Sequence, residues 1–202
     1  MMDDTAAKIL EAAGRVFAEK GFQAATVRKI CALAEVNLAG VNYHFRDKET
    51  LYATALRHAH EAMVLRFPTP EWPAGTSPEQ KLRDFIHTML SRMLAKQVDS
   101  WQSKLMMREV LTPSDAGREL VSNYFRPHFD LLNAILRELL PADTTDLRRH
   151  HVALSVIGQC THYKLGCGII SLIIPPEEYL TGYTVEILTE HITQMSLHGL
   201  RN

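Results

Sequence analysis

The sequence predicts an all-α protein, with a small N-terminal three-helix unit carrying a helix-turn-helix and a larger helical bundle after it. Three observations carry that expectation. Apolar residues recur at helical spacing along almost the whole chain, beginning with Ile9, Ala12, Ala13, Val16 and Phe17. No alternating apolar and polar run bounded by turn residues reads as a strand. Pro68, Pro70, Pro73 and Pro78 place four of the nine prolines in one short stretch, where the composition changes.

The elements follow in order. Residues 6–20 form an amphipathic helix that Gly21 stops. Thr26 is an N-cap for a short helix over 27–34, with Val27, Ile30, Cys31 and Ala34 inward. Val36 and Asn37 make a turn, and a second short helix runs over 38–44. Asp47 caps a fourth helix over 48–65, on which Leu51, Tyr52, Ala55 and Leu56 share a face. The proline-rich stretch 66–78 cannot be helical and reads as a loop or linker. Longer helical patterns then cover 79–96, 101–111, 114–140, 145–174 and 178–200, punctuated by Pro113, Pro141, Pro175 and Pro176. Pro127 predicts a kink near Tyr124 and Phe125. The domains expected are 1–50 and 51–202.

Composition narrows the function classes. The 202 residues are 46% apolar and 22% charged, values of a globular chain rather than a disordered one. Lys plus Arg number 22 against 23 Asp plus Glu, which excludes a wholly basic histone-like protein and leaves room for one local basic patch. Three cysteines cannot frame a chain of this length with disulfides, and their odd number suits a reducing compartment. The N-terminus has no signal-peptide pattern, and the most apolar run, 165–174, is half the ~20 residues a membrane span requires. The expectation is a cytoplasmic protein with no membrane partner.

The informative stretch runs from Thr26 to Phe45. Two short helices joined by a tight turn, apolar only on their shared inner side, form the pattern of a helix-turn-helix. The second helix carries Ala39, Gly40, Asn42, Tyr43 and His44. Small residues allow close approach to DNA bases, and Asn and Tyr supply hydrogen bonds. Lys20, Arg28, Lys29, Arg46 and Lys48 outweigh Glu35 and Asp47 here, although the whole chain has net charge −1. Positive charge is concentrated where phosphates would lie.

These residues carry a resemblance. Ile9 to Ala13, Phe17 to Phe22, Thr26 to Arg28, Asn42 to Phe45 and Lys48 to Tyr52 together resemble the DNA-binding domain of the TetR family of transcriptional regulators. In the commonest family pattern an aromatic residue stands where Asn42 stands. That departure, with Val110 to Ser114 and the aromatic-rich helix after it, is similar to the CecR-like branch. The resemblance implies a homodimer, an effector pocket in the C-terminal domain, and release of DNA when the effector binds. It places Thr26 and Arg28 at the start of the helix flanking the groove. Asn37, Ala39, Gly40, Asn42, Tyr43 and His44 fall on or beside the recognition helix, and Lys48 opens the next. Side-chain geometry makes Arg28 and Asn42 the base readers, and Tyr43 and His44 read as phosphate contacts. Thr26 can also meet a phosphate, and Lys48 lies at the positive end of a helix dipole.

The C-terminal region is less specific. Its histidines lack the His-x-x-x-His spacing that would put a pair on one helix face, so no metal or other cofactor is expected. Cys160 and Cys167 on one unbroken helix would lie ~10.5 Å apart along its axis, too far to bridge. Phe85, His87, Met89, Met93, Trp101, Met106, Tyr124, Phe125, His128, Phe129, His162 and Tyr163 offer the mix of apolar and polar groups that a small, largely apolar effector requires, or else are ordinary core. Helices 145–174 and 178–200 carry more apolar surface than one stripe uses. Val156, Ile169, Ile173, Leu188, Ile192 and Met195 are therefore expected at a dimer interface, unless neighbouring helices of the same chain cover them. The function expected is a ligand-responsive DNA-binding regulator, a repressor released from a palindromic double-stranded operator. The alternatives are an all-helical enzyme using Cys160 or His162, or a ligand-binding dimer without DNA. No paired nucleophile and base supports the enzyme.

Overall fold

A computed structural model describes residues 3–94, 100–115 and 117–200. Helices account for all of the regular structure among them, with no strand. The order is α1 (Asp4–Ala24), α2 (Val27–Ala34), α3 (Leu38–Phe45), α4 (Lys48–Arg66), α5 (Pro78–Leu94), α6 (Trp101–Leu111) and α7 (Arg118–Leu120). A π-helical turn, Val121–Phe125, leads into α8 (Arg126–Leu139), then α9 (Asp146–Leu165), α10 (Cys167–Ile173), α11 (Pro176–Gly182) and α12 (Val185–Leu200).

Local chemistry sets the boundaries of α2 and α3 close to where the sequence placed them, while α1 starts two residues earlier than expected and resumes past Gly21 to Ala24. The Asp3 carboxylate accepts the Ala6 amide at 2.8 Å and starts α1. Gly21 breaks its helical geometry with φ 76°, a left-handed conformation that costs little only at glycine. Thr26 caps α2, and Asn37 caps α3 by accepting the Gly40 amide at 2.8 Å. Between them Glu35 turns the chain with φ 57°. The Asp47 carboxylate accepts the Thr50 amide at 2.7 Å and opens α4.

The chain forms two compact units, and their division is not at residue 50. The first consists of Met1–Arg66 with Gln97–Arg126, the second of Phe67–Lys96 with Pro127–Asn202. Three short helices cannot bury their own apolar faces, so α4 and α6 close the first core. Ile9, Phe17, Ile30, Phe45, Leu51, Leu56 and Leu105 are all buried there. Small residues let α6 approach α1: a Cβ on Gly14 would fall 2.3 Å from the Trp101 ring. Trp101 and Met106 are thus core residues of the first unit, and the Trp101 indole donates to Glu11 at 2.6 Å.

In the second unit, α5 packs against α12 and α9. Leu82, Ile86, Leu90, Leu132, Ile135, Val156, Cys160, Leu188 and Ile192 fill its core. The proline-rich stretch is bound to this unit rather than free. The Trp72 indole donates to Asp84 at 3.0 Å, and Arg92 donates to the Phe67 carbonyl at 2.9 Å. Three of the long helices expected are interrupted. The 114–140 pattern holds its π turn at Val121–Phe125, beside the kink expected before Pro127. The 145–174 pattern breaks at Gly166, and 178–200 breaks between Gly182 and Val185. Cys160 and Cys167 therefore lie on different helices, both as free thiols, the first buried and the second exposed.

Candidate nucleic-acid interface

The α2–turn–α3 segment separates its residues by chemistry. Val41 and Phe45 point into the core, while Ala39, Asn42 and Tyr43 stand exposed on the other side of α3. Tyr43 is 84% exposed, an unusual position for a large aromatic ring with no partner chain in view. A Cβ on Gly40 would meet Asn37 Oδ1 at 3.5 Å and Val36 Cβ at 3.9 Å, ordinary contact distances. The protein's own packing therefore does not demand glycine there.

Around this helix lie the cations. Arg28 is exposed and makes no ion pair or side-chain hydrogen bond among the described residues. Lys29 lies 3.6 Å from Glu19. The Lys20 ammonium, then Lys29, hold the Glu19 carboxyl below its usual range. The Lys48 ammonium rests 4.5 Å over the Phe22 ring and donates to the Gln23 carbonyl at 3.4 Å. A cation–π contact of this kind contributes ~0.5–1 kcal/mol at an exposed site and holds the charge in one place.

Two of the expected residues have other engagements. Asn37 spends its amide oxygen on the α3 cap. His44 is turned back toward Asp3, with Nδ1 3.7 Å from the carboxylate and the side chain only 15% exposed. Its ring still meets Tyr43 edge-to-face, with ring centres 4.9 Å apart. Thr26 likewise uses its hydroxyl to accept the Lys29 amide, at 3.3 Å.

The residues expected around an effector do not converge on one site. Trp101, Met106, Tyr124 and Phe125 belong to the first unit, where Tyr124 stacks on His60 with ring centres 3.6 Å apart. Phe85 is buried in the second core, and Met89, Met93, Phe129 and Tyr163 pack half-buried against it. His87 and His162 are exposed, and His128 contacts Arg92. An open cleft of about 470 Å³ lies instead on the first unit, lined by Glu11, Arg15, Glu19, Trp101 and Lys104 among others. Its charged rim does not suit an apolar molecule. Of the residues expected at a dimer interface, Val156, Leu188 and Ile192 are buried within the chain. Ile169, Ile173 and Met195 are exposed. The first three fill the second core against α5, the cover by neighbouring helices left open as the alternative.

Sequence reasoning missed Glu109. Its signal was present: an acid four residues after Leu105 and eight after Trp101, on the apolar face of its helix. Among the described residues no group of His, Cys, Asp or Glu could hold a metal ion, and no helix is long and apolar enough to cross a membrane.

Two family profiles match this chain. Residues 9–55 match the family described as bacterial regulatory proteins, tetR family. Residues 78–200 match the C-terminal domain of the HTH-type transcriptional dual regulator CecR, over more than half of the chain. The chain belongs to the TetR family, in its CecR-like branch. TetR-family proteins are transcriptional regulators, not enzymes, which removes the catalytic alternative. The probable HTH-type transcriptional regulator YttP of Bacillus subtilis is 28% identical over 68% of this chain, and the match spans 66% of that protein. The HTH-type transcriptional dual regulator CecR of Shigella flexneri is also 28% identical, over 93% of this chain and 85% of its own. A tetR-family regulatory protein from Rhodococcus RHA1 has the same fold, with TM-score 0.69 and 18% identity over 98% of both chains. A regulator from Pseudomonas aeruginosa PAO1 follows with TM-score 0.65 and 23% identity, over 97% of this chain and 93% of that one.

Proposed function

We propose that this TetR-family regulator represses transcription by binding a near-palindromic operator as a homodimer, and that a small, largely apolar effector held in the second unit releases it. The exposed outer face of α3 carries the DNA reading: small and hydrogen-bonding residues there, with Arg28 and Lys48 beside them, over a fully apolar inner face. Ala39 and Gly40 let the α3 backbone approach bases, Asn42 and Arg28 read base edges, and Tyr43, Thr26 and Lys48 meet phosphates. Asn37 and His44 support the helix from its two ends.

One helix-turn-helix reads half a site, so a two-fold pair is needed to span two major grooves ~34–36 Å apart. Ile169, Leu172, Ile173 and Met195, exposed on α10 and α12, are the apolar surface available for that pairing. Met89, Met93, Phe129 and Tyr163, half-buried around the second core, are adaptable apolar groups able to open around an effector. His87, His128 and His162 are the polar candidates nearby in sequence and unit. The relative named as the HTH-type transcriptional repressor NicS of Pseudomonas putida, 32% identical over 42% of this chain, accords with the repressor reading.

Binding of duplex DNA by variants tests the interface. Arg28→Ala is expected to cost ~1–3 kcal/mol per half-site on the preferred sequence and to relax specificity at one position in each half. Lys48→Ala is expected to weaken all sequences alike and to lower the salt slope by ~1 for each protomer bound. Gel-shift titrations in which neither variant differs from wild type would remove Arg28 and Lys48 from the DNA contacts.

A further inference from the structure

Glu109 is 4% exposed, on the α6 face that also buries Leu105. Its carboxylate accepts three hydrogen bonds: from the Tyr52 hydroxyl on α4, from the Ser114 hydroxyl at 2.8 Å, and from the Ser114 amide at 3.0 Å. Gly117 closes the site, since a Cβ there would fall 1.9 Å from Oε2. No cation pairs with Glu109 among the described residues, so these donors alone offset the desolvation of a buried charge. An apolar side chain would fill the space without that cost. What the carboxylate adds is direction, because it fixes where the Tyr52 hydroxyl points.

Tyr52 leads outward from there. Its ring meets Phe17 edge-on at 4.8 Å and Phe22 at 5.1 Å. The Phe22 ring in turn carries the Lys48 ammonium at 4.5 Å. A continuous line of contacts, Glu109 to Tyr52 to Phe22 to Lys48, joins a buried carboxylate to a cation beside α3. We propose that Glu109 is a positioning residue for DNA binding, which fixes the aromatic platform under Lys48 and so sets how firmly Lys48 engages a phosphate. This rests on the reading of Lys48 as a phosphate contact given above.

The chemistry of the site supplies the variants. A carboxamide at 109 has one acceptor oxygen for three donors, so Glu109→Gln leaves at least one of them facing an N–H. Tyr52→Phe removes only the hydroxyl and keeps the ring. Ser114→Ala removes a donor from the same carboxylate and a neighbour of the Tyr52 hydroxyl, so it loosens the same line of contacts. The probe is a labelled duplex of arbitrary sequence, because phosphate contacts do not depend on sequence.

The measurement is fluorescence anisotropy of wild type and variants over a fourfold rise in salt, with circular dichroism to confirm folding. One lost phosphate contact in each protomer lowers the salt slope of the bound dimer by ~1.8, so wild-type affinity should fall about twelvefold more than that of Glu109→Gln and Tyr52→Phe over this range. Adding Lys48→Ala to Tyr52→Phe should lower the slope no further. A folded Tyr52→Phe with the wild-type slope, or a further drop of ~1.8 on adding Lys48→Ala, overturns the proposal. Tyr52→Phe carries the test if Glu109→Gln does not fold. A wild type whose DNA affinity does not respond to salt overturns the DNA reading itself, and this inference with it.

Discussion

Two surfaces, one on each unit, present different chemistry to solvent. On the first, α3 turns Asn42 and Tyr43 outward beside Arg28, hydrogen-bonding and cationic groups over an inner face sealed by Val41 and Phe45. On the second, α10 to α12 expose Ile169, Leu172, Ile173, Leu180 and Met195, while the same helices' neighbours bury Leu188 and Ile192. A polyanion is met by donors and positive charge, whereas a protein partner is met by apolar area. The difference sets an exposed polar helix face on one packed core against exposed apolar helices on the other.

That comparison breaks most visibly through charge placed on the apolar side. Ile192 is fully buried, so Ile192→Glu should destabilise the second unit by ~4 kcal/mol or more and lower the unfolding temperature. Ile169→Glu combined with Met195→Glu, both at exposed positions, should leave the unfolding of a single chain unchanged and shift sedimentation equilibrium from dimer to monomer. A wild type that is monomeric at micromolar concentration would detach the apolar surface from assembly.

A smaller effect sharpens the contrast between buried and exposed groups within the second unit. Burial pushes the Cys160 thiol up to about 12, against about 8.5 for a free thiol. Because the folded state favours the neutral thiol, its contribution is complete below pH ~8.5 and is lost as pH rises toward ~12. At pH ~10 the loss is roughly 2 kcal/mol, so Cys160→Ala should unfold with a flatter alkaline dependence than wild type. Chemical denaturation at two pH values measures it. Exposed Cys167 should react with a thiol reagent in the native protein, at a rate unaffected by Cys160→Ala.

The two units also differed in how much their sequence revealed. In the first, short-range signals decide the outcome: Thr26, Asn37 and Asp47 each accept an amide near the start of a helix, and Gly21 supplies the left-handed stop. Helices α2 and α6 begin and end where periodicity placed them. Family membership was legible for the same reason, since the motif lies in one continuous stretch. What stayed hidden is long-range. Nothing local tells that Trp101 fits over Gly14, or that α6 joins the N-terminal helices rather than the C-terminal ones. In the second unit, Gly166 and the Gly182 turn interrupt apolar runs that read as unbroken, and Ile169 and Ile173 stand exposed on α10 while Val156 is buried on α9. His44 is drawn toward Asp3, forty-one positions away in sequence, a contact that spacing on α3 does not reveal.

The central claim, that the outer face of α3 reads duplex DNA from a two-fold pair, is tested most directly by selection. The purified full chain is incubated with a library of random-sequence duplexes, the bound fraction is recovered and re-bound over several rounds, and the enriched DNA is sequenced, with Arg28→Ala carried in parallel. Wild type should enrich an inverted repeat whose half-site centres are separated by about 10–10.5 base pairs or a multiple, and Arg28→Ala should lose preference at one position in each half. Enrichment of a single unrepeated half-site, or of no sequence at all, would contradict the account.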